Sequence, residues 1–129
     1  MTTALRRDRM APARPQLWRI TDRATFAMLG ASGTRVRRGP LTVTWLPPKV
    51  DVVEPPRVAF AVGRASGPAV TRNRIRRRLR AALRELLAAS SLPGGAYLIG
   101  GRPEVASLPW PVLVRTLDDA VRAVTVAAR

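Results

Sequence analysis

Residues Gly63 to Leu87 read GRASGPAVTRNRIRRRLRAALRELL, and the placing of every other segment follows from how this stretch is read. Gly67-Pro68 suits a helix entrance: glycine as the cap, then proline at the first helical position, where a missing N–H loses no partner. Beyond it Ile75, Leu79, Ala82, Leu83 and Leu86 recur at steps of three and four, which gathers them on one helical face. Arg74, Arg76, Arg77, Arg78, Arg80 and Arg84 spread over the other faces, and Arg72 falls at the N-terminal rim of the apolar stripe. Nothing acidic stands between Gly63 and Glu85. A helix built only for solubility mixes signs and gains i,i+4 ion pairs. This one repels itself until an anion meets it. The spacing therefore predicts an amphipathic helix running to about Ala89, one side in a core and the other against nucleic acid. The plainer alternative, a solvated basic face, explains a lone arginine run but not one set on so amphipathic a helix.

The composition of the whole chain agrees with that reading. The 129 residues suffice for one domain with a single core. Formal net charge is +15, and Lys49 is the only lysine among the 23 basic residues. Guanidinium groups grip phosphate with two parallel hydrogen bonds and stack on bases, which suits RNA or DNA. Cysteine and histidine are both missing. That removes disulfides, thiolate nucleophiles, the usual zinc sites and histidine acid–base catalysis. Asp118 and Asp119 are the only adjacent acidic pair, and neighbours on a helix do not converge on one ion. No cofactor and no metal held by the protein itself are expected, and any catalytic groups belong to a partner. No apolar run approaches a membrane span, and no secretory h-region opens the chain, so the expected location is cytoplasmic, with no membrane or small-molecule ligand.

In chain order, residues 1–16 are basic and proline-containing without periodicity, and read as a disordered tail ahead of a single RNA-binding domain, 17–129. Thr21 reads as an N-cap and Asp22 as a favourable charge at a helix start. Ala24 to Leu29 are helix-forming, with Gly30 and Gly33 ending the segment. Phe26 and Leu29 would share a face, and on pattern alone an aromatic there reads as core. Thr34 to Arg38 is a short basic edge strand. Leu41 to Trp45 alternates cleanly, as does the run around Val58, Phe60 and Val62, and Tyr97 to Ile99 is a third, buried strand. Ser107 reads as the cap of a last helix with Trp110, Leu113, Leu117, Val121 and Val124 as its stripe. The order α-β-β-(β)-α-β-α predicts an α+β fold, three helices packed on one small sheet.

With these elements in place, the chain resembles the protein subunit of bacterial ribonuclease P. Arg72-Asn73-Arg74, within Ala69 to Arg77, resembles the signature that opens that family's long helix. Val58 to Arg64 resembles the strand leading into it. Arg19-Ile20 followed by Phe26 resembles the N-terminal helix region, where a phenylalanine lines a cleft, and Arg102 falls where a basic residue is usual. Ala65, Pro68 and Ala81 depart from the pattern, where a basic residue, an asparagine and an acidic residue are common. The resemblance implies a left-handed βαβ crossover, rare by the general rule of handedness. It implies a subunit that assists a catalytic RNA, itself requiring Mg²⁺, in cutting the 5′ leader from precursor tRNA. The expected RNA-binding residues are Arg72, Asn73, Arg74, Arg76, Arg77 and Arg80. The expected leader cleft combines Arg19, Phe26, Arg35, Arg37, Phe60 and Arg64, an aromatic floor within basic walls. Composition by itself leaves open a structural RNA-binding role, as in a small ribosomal protein. A DNA-binding basic helix is disfavoured by the lack of a dimerising heptad seam.

Overall fold

The computed structural model describes residues 17–49 and 53–127, so the tail expected at 1–16 lies outside the described residues. Strand β1 (Trp18–Arg19) leads to helix α1 (Arg23–Ser32), then to β2 (Thr34–Arg38) and β3 (Leu41–Leu46). Strand β4 (Pro56–Ala61) passes through a 3₁₀ turn (Arg64–Ser66) into α2 (Ala69–Ala88). Then come β5 (Gly95–Gly101), a second 3₁₀ turn (Pro103–Ala106) and α3 (Trp110–Ala127).

The strands form one sheet in the order β1-β4-β5-β3-β2. β2 and β3 make an antiparallel hairpin in which Arg38 faces Leu41 across the tight turn at Gly39-Pro40. Gly39 has φ +53°, a left-handed conformation that glycine adopts without steric cost. β4 and β5 are adjacent and parallel with α2 between them in the chain, a βαβ crossover. β1 was not expected. It adds two residues parallel to β4, Trp18 against Arg57 and Arg19 against Val58, and the Ile20 N–H continues the ladder to the Val58 carbonyl at 3.1 Å.

The sheet is apolar on two unequal faces. Leu41, Val43 and Trp45 of β3 alternate inward with Val58, Tyr97 and Ile99, and meet Ile75, Leu79 and Leu83 of α2 and Leu113, Leu117, Val121 and Val124 of α3. Both helical stripes are the predicted ones. Burying each such leucine or isoleucine contributes about 1.5–3 kcal/mol, so this face dominates the stability. On the other face α1 covers a smaller cluster, Ile20, Leu29 and Ala96 with Leu46, Ala59 and Leu98 beside them.

Three helix starts differ from expectation. Asp22, not Thr21, caps α1: its carboxylate accepts from the Thr25 N–H at 2.9 Å and the Thr25 hydroxyl at 2.6 Å. The cap of α2 is Pro68 rather than Gly67, with no side-chain bond. Ser107 ends the second 3₁₀ turn instead of starting α3, which begins at Trp110 with the Leu113 N–H on the Pro109 carbonyl.

Candidate nucleic-acid interface

Along the β1 edge of the sheet runs a groove of about 380 Å³. One wall is α2, which places Arg76, Arg80 and Arg84 at i, i+4 and i+8, hence in one row. The other side is Leu17 to Ile20 and Phe26, and the floor is Val58, Ala59 and Phe60 of β4. Phe26 is 42% exposed while Leu29, three residues on, is buried. The core reading of Phe26 therefore fails: α1 presses Leu29 onto the sheet and leaves the phenyl ring in the groove. Phe60 is half-buried beneath Arg80, whose guanidinium lies 5.5 Å from the ring centre. That contact holds an arginine in place without using its hydrogen-bond donors.

Not every arginine of the run is free for a partner. Arg76 donates to the Val62 carbonyl at 2.9 Å and to Asn73 Oδ1 at 3.0 Å, so Arg76 and Asn73 brace the start of α2 as well as bordering the groove. Arg78 donates to the Val105 and Leu108 carbonyls and lies 5.9 Å from the Trp110 ring. Arg74 and Arg77 are exposed. Arg72 sits at the rim as expected, half-buried, its Nε enclosed with no acceptor among the described residues. A buried donor left without an acceptor costs about 1–3 kcal/mol, and such a group marks strain or an unmet partner.

The expected leader-cleft residues divide between two places. Arg19, Phe26 and Phe60 share the edge groove. Arg35 lines a separate hollow of about 330 Å³ on the sheet face that α1 partly covers, with Thr42, Thr44, Ala61, Leu98, Gly100 and Arg102. Arg37 lies two residues further along β2, exposed and on the same side of the strand as Arg35. Arg64 is exposed in the turn before α2, a turn pinned to β5 by the Ser66 hydroxyl, which donates to the Gly101 carbonyl at 2.7 Å. The sequence reading did not assign Trp18 or Arg84 to a site. The i,i+4 row of arginines was the signal for Arg84, and the proximity of Trp18 to Arg19 the weaker signal for Trp18.

The charge balance favours an anion. Among the described residues three ion pairs form, Arg57–Asp22, Arg102–Glu104 and Arg122–Asp118, and none involves α2. No three acidic side chains converge among the described residues. Asp22 is held below its ordinary value by the Thr25 hydroxyl and backbone N–H, so it stays ionised and tied to the cap. The groove can bind, stack and neutralise; it holds no acid–base pair.

Fold and groove thus define a small basic α+β protein of the kind that binds nucleic acid. The family model described as Ribonuclease P matches residues 15–125, nearly all of the chain. The chain belongs to the ribonuclease P protein family, whose members are accessory subunits of the ribonuclease P endoribonuclease. The ribonuclease P protein component of Thermobifida fusca is 39% identical over 113 residues, covering 83% of this chain and 76% of that protein. That of a Nocardioides species is 41% identical over 101 residues, covering 78% and 85%. Among solved structures, the RNase P protein of Thermotoga maritima superposes with a TM-score of 0.68 at 18% identity, over 81% of this chain and 96% of that one. A Staphylococcus aureus RNase P protein mutant gives 0.71 at 17%, over 96% and 95%. At such identities these two show the shared fold.

Proposed function

We propose that this chain assists the ribonuclease P RNA in removing the 5′ leader of precursor tRNA by gripping that RNA with α2 and the single-stranded leader with its basic hollows. Family membership makes the ribonuclease P RNA its partner. The observation that carries the reading is the joining of exposed Phe26 with Arg19, Arg80 and Arg84 in one groove, on a chain without cysteine or histidine. Single strands are held by basic grooves with aromatic platforms, largely without regard to sequence. Arg74 and Arg77, exposed near the start of α2, are placed for phosphates of folded RNA.

The experiment is cleavage of precursor tRNA at low Mg²⁺ by a bacterial ribonuclease P RNA with and without this protein. Stimulated cutting at the mature 5′ end is expected, with no cutting by protein alone. No stimulation with the cognate RNA, despite tight RNA binding, would leave the structural RNA-binding role instead. Replacing Arg72 and Arg74 by Ala is expected to reduce the log–log salt slope of RNA binding by roughly 1–2.

A further inference from the structure

The chain has six aromatic side chains, and the fold uses four of them. Trp45 and Tyr97 are buried against each other, ring centres 6.3 Å apart, and the Trp45 N–H is spent on the Gly94 carbonyl. Phe60 is covered by Arg80, and Trp110 lies beside Arg78 with its N–H on Glu85 at 2.7 Å. The remaining two, Trp18 and Phe26, are 52% and 42% exposed. Both border the groove lined by Arg19, Arg76, Arg80 and Arg84.

Trp18 is also held in position. Its backbone is registered against Arg57 in the sheet, and Ile20 behind it is buried and bonded to Val58. An indole on a registered strand offers a large flat face with little freedom left to lose on binding. A single exposed aromatic on a protein surface needs no explanation. Two exposed aromatics beside four arginines do, because water-exposed π-faces next to guanidinium groups with no acidic partner among the described residues are the complement of unpaired bases on a phosphate chain.

We propose that Trp18 is a stacking platform for an unpaired RNA base whose flanking phosphates lie along Arg80 and Arg84. This deepens the function proposed above and rests on it. The base belongs either to the precursor leader or to an unpaired segment of the ribonuclease P RNA, and the same chemistry serves both.

The test uses the full chain with Trp18→Ala and Trp18→Phe, each checked for native circular dichroism. Binding is measured to precursor tRNA and to mature tRNA in the presence of the ribonuclease P RNA, and to that RNA alone. Trp18→Ala is expected to lose about 5- to 150-fold in affinity in one arm, the range that one base–aromatic stack supplies. Trp18→Phe is expected to retain most of it. Loss confined to precursor tRNA assigns the base to the leader; loss toward the RNA alone assigns it to the partner RNA. RNA binding is also expected to quench tryptophan emission in the natural chain and much less in Trp18→Phe. Unchanged affinity of Trp18→Ala in both arms, or a loss that phenylalanine does not restore, overturns the proposal. So does a Trp18→Ala effect seen only in self-association, which would make the patch a protein contact. If the natural chain fails to stimulate cleavage, the underlying function falls; if it stimulates and Trp18→Ala behaves identically, this inference alone falls.

Discussion

Arg78 stands in the middle of the most basic stretch of the chain and yet faces inward. Its guanidinium donates to the Val105 and Leu108 carbonyls and rests beside Trp110, joining α2 to the turn and to the start of α3. Removing it leaves two carbonyls without their donor. Arg78→Met, which keeps an apolar stem of similar reach, is expected to cost about 1–3 kcal/mol in urea unfolding. The salt slope of RNA binding stays as it was. Arg74→Ala reverses the pattern: stability within about 0.5 kcal/mol and a slope smaller by about 1. Equal effects of the two would abolish the division between clamp and contact. Asp22 is the acidic counterpart. Its carboxyl is depressed below the ordinary 3.8, first by the Thr25 hydroxyl and then by the Thr25 N–H. A group depressed on folding stabilises above its unfolded value and loses that stabilisation as pH falls through the folded value. Asp22→Ala is therefore expected to melt lower than the natural chain at neutral pH, and the gap to close as pH drops below about 3.8. A gap that persists at lower pH would show that the carboxylate charge is not what caps α1.

Helix α1 holds Gly30 and is capped at its C-terminus by Gly33, two glycines that look alike in sequence and differ in space. Gly30 has open surroundings, whereas a methyl group on Gly33 would come 2.5 Å from the Leu29 carbonyl oxygen and 2.7 Å from Thr44 Cγ2. Gly30→Ala is expected to stabilise by about 0.5–1 kcal/mol, the helix-interior penalty of glycine recovered. Gly33→Ala is expected to cost about 1–3 kcal/mol as α1 is pushed off the sheet, and to weaken RNA binding with it, since α1 holds Phe26. Urea midpoints in the same order for both variants would refute this seating of α1. The pair also shows what was legible beforehand. β3 and α2 were readable because burial imposes period two on Leu41, Val43 and Trp45 and period 3.6 on Ile75, Leu79 and Leu83. β1 was not, because two residues carry no period and their ladder is made only once β4 exists. Ser107 misled because a 3₁₀ turn and Pro109 intervene before α3. The arginine row was visible in the sequence. The diversion of Arg76 and Arg78 to backbone carbonyls, and the separation of the hollow that holds Arg35 from the edge groove that holds Phe26, depend on tertiary packing that spacing does not encode.

At the scale of the whole molecule, charge opposes folding and drives binding. Net charge is +15, and the ion pairs found among the described residues leave the α2 arginines without acidic partners. Self-repulsion of that size destabilises the compact state, and it is long-ranged enough for salt to remove it: screening reaches about 10 Å at 0.1 M and about 3 Å at 1 M. Raising NaCl from about 0.05 to 1 M is therefore expected to raise the melting temperature, by roughly 4 °C for each kcal/mol of repulsion relieved. The same salt removes the entropy gained when RNA displaces counterions. The three groove arginines that donate to no backbone carbonyl among the described residues, Arg19, Arg80 and Arg84, predict a log–log slope of about −2 for a single-stranded oligoribonucleotide. Stability and affinity thus move in opposite directions along one titration, because the same uncompensated charges strain the free protein and attract its partner. RNA is then expected to act as the missing counterion, raising the melting temperature most at low salt and little at 1 M NaCl. A melting temperature that falls with NaCl, or an RNA-induced rise independent of salt, would mean that these arginines are already compensated within the fold.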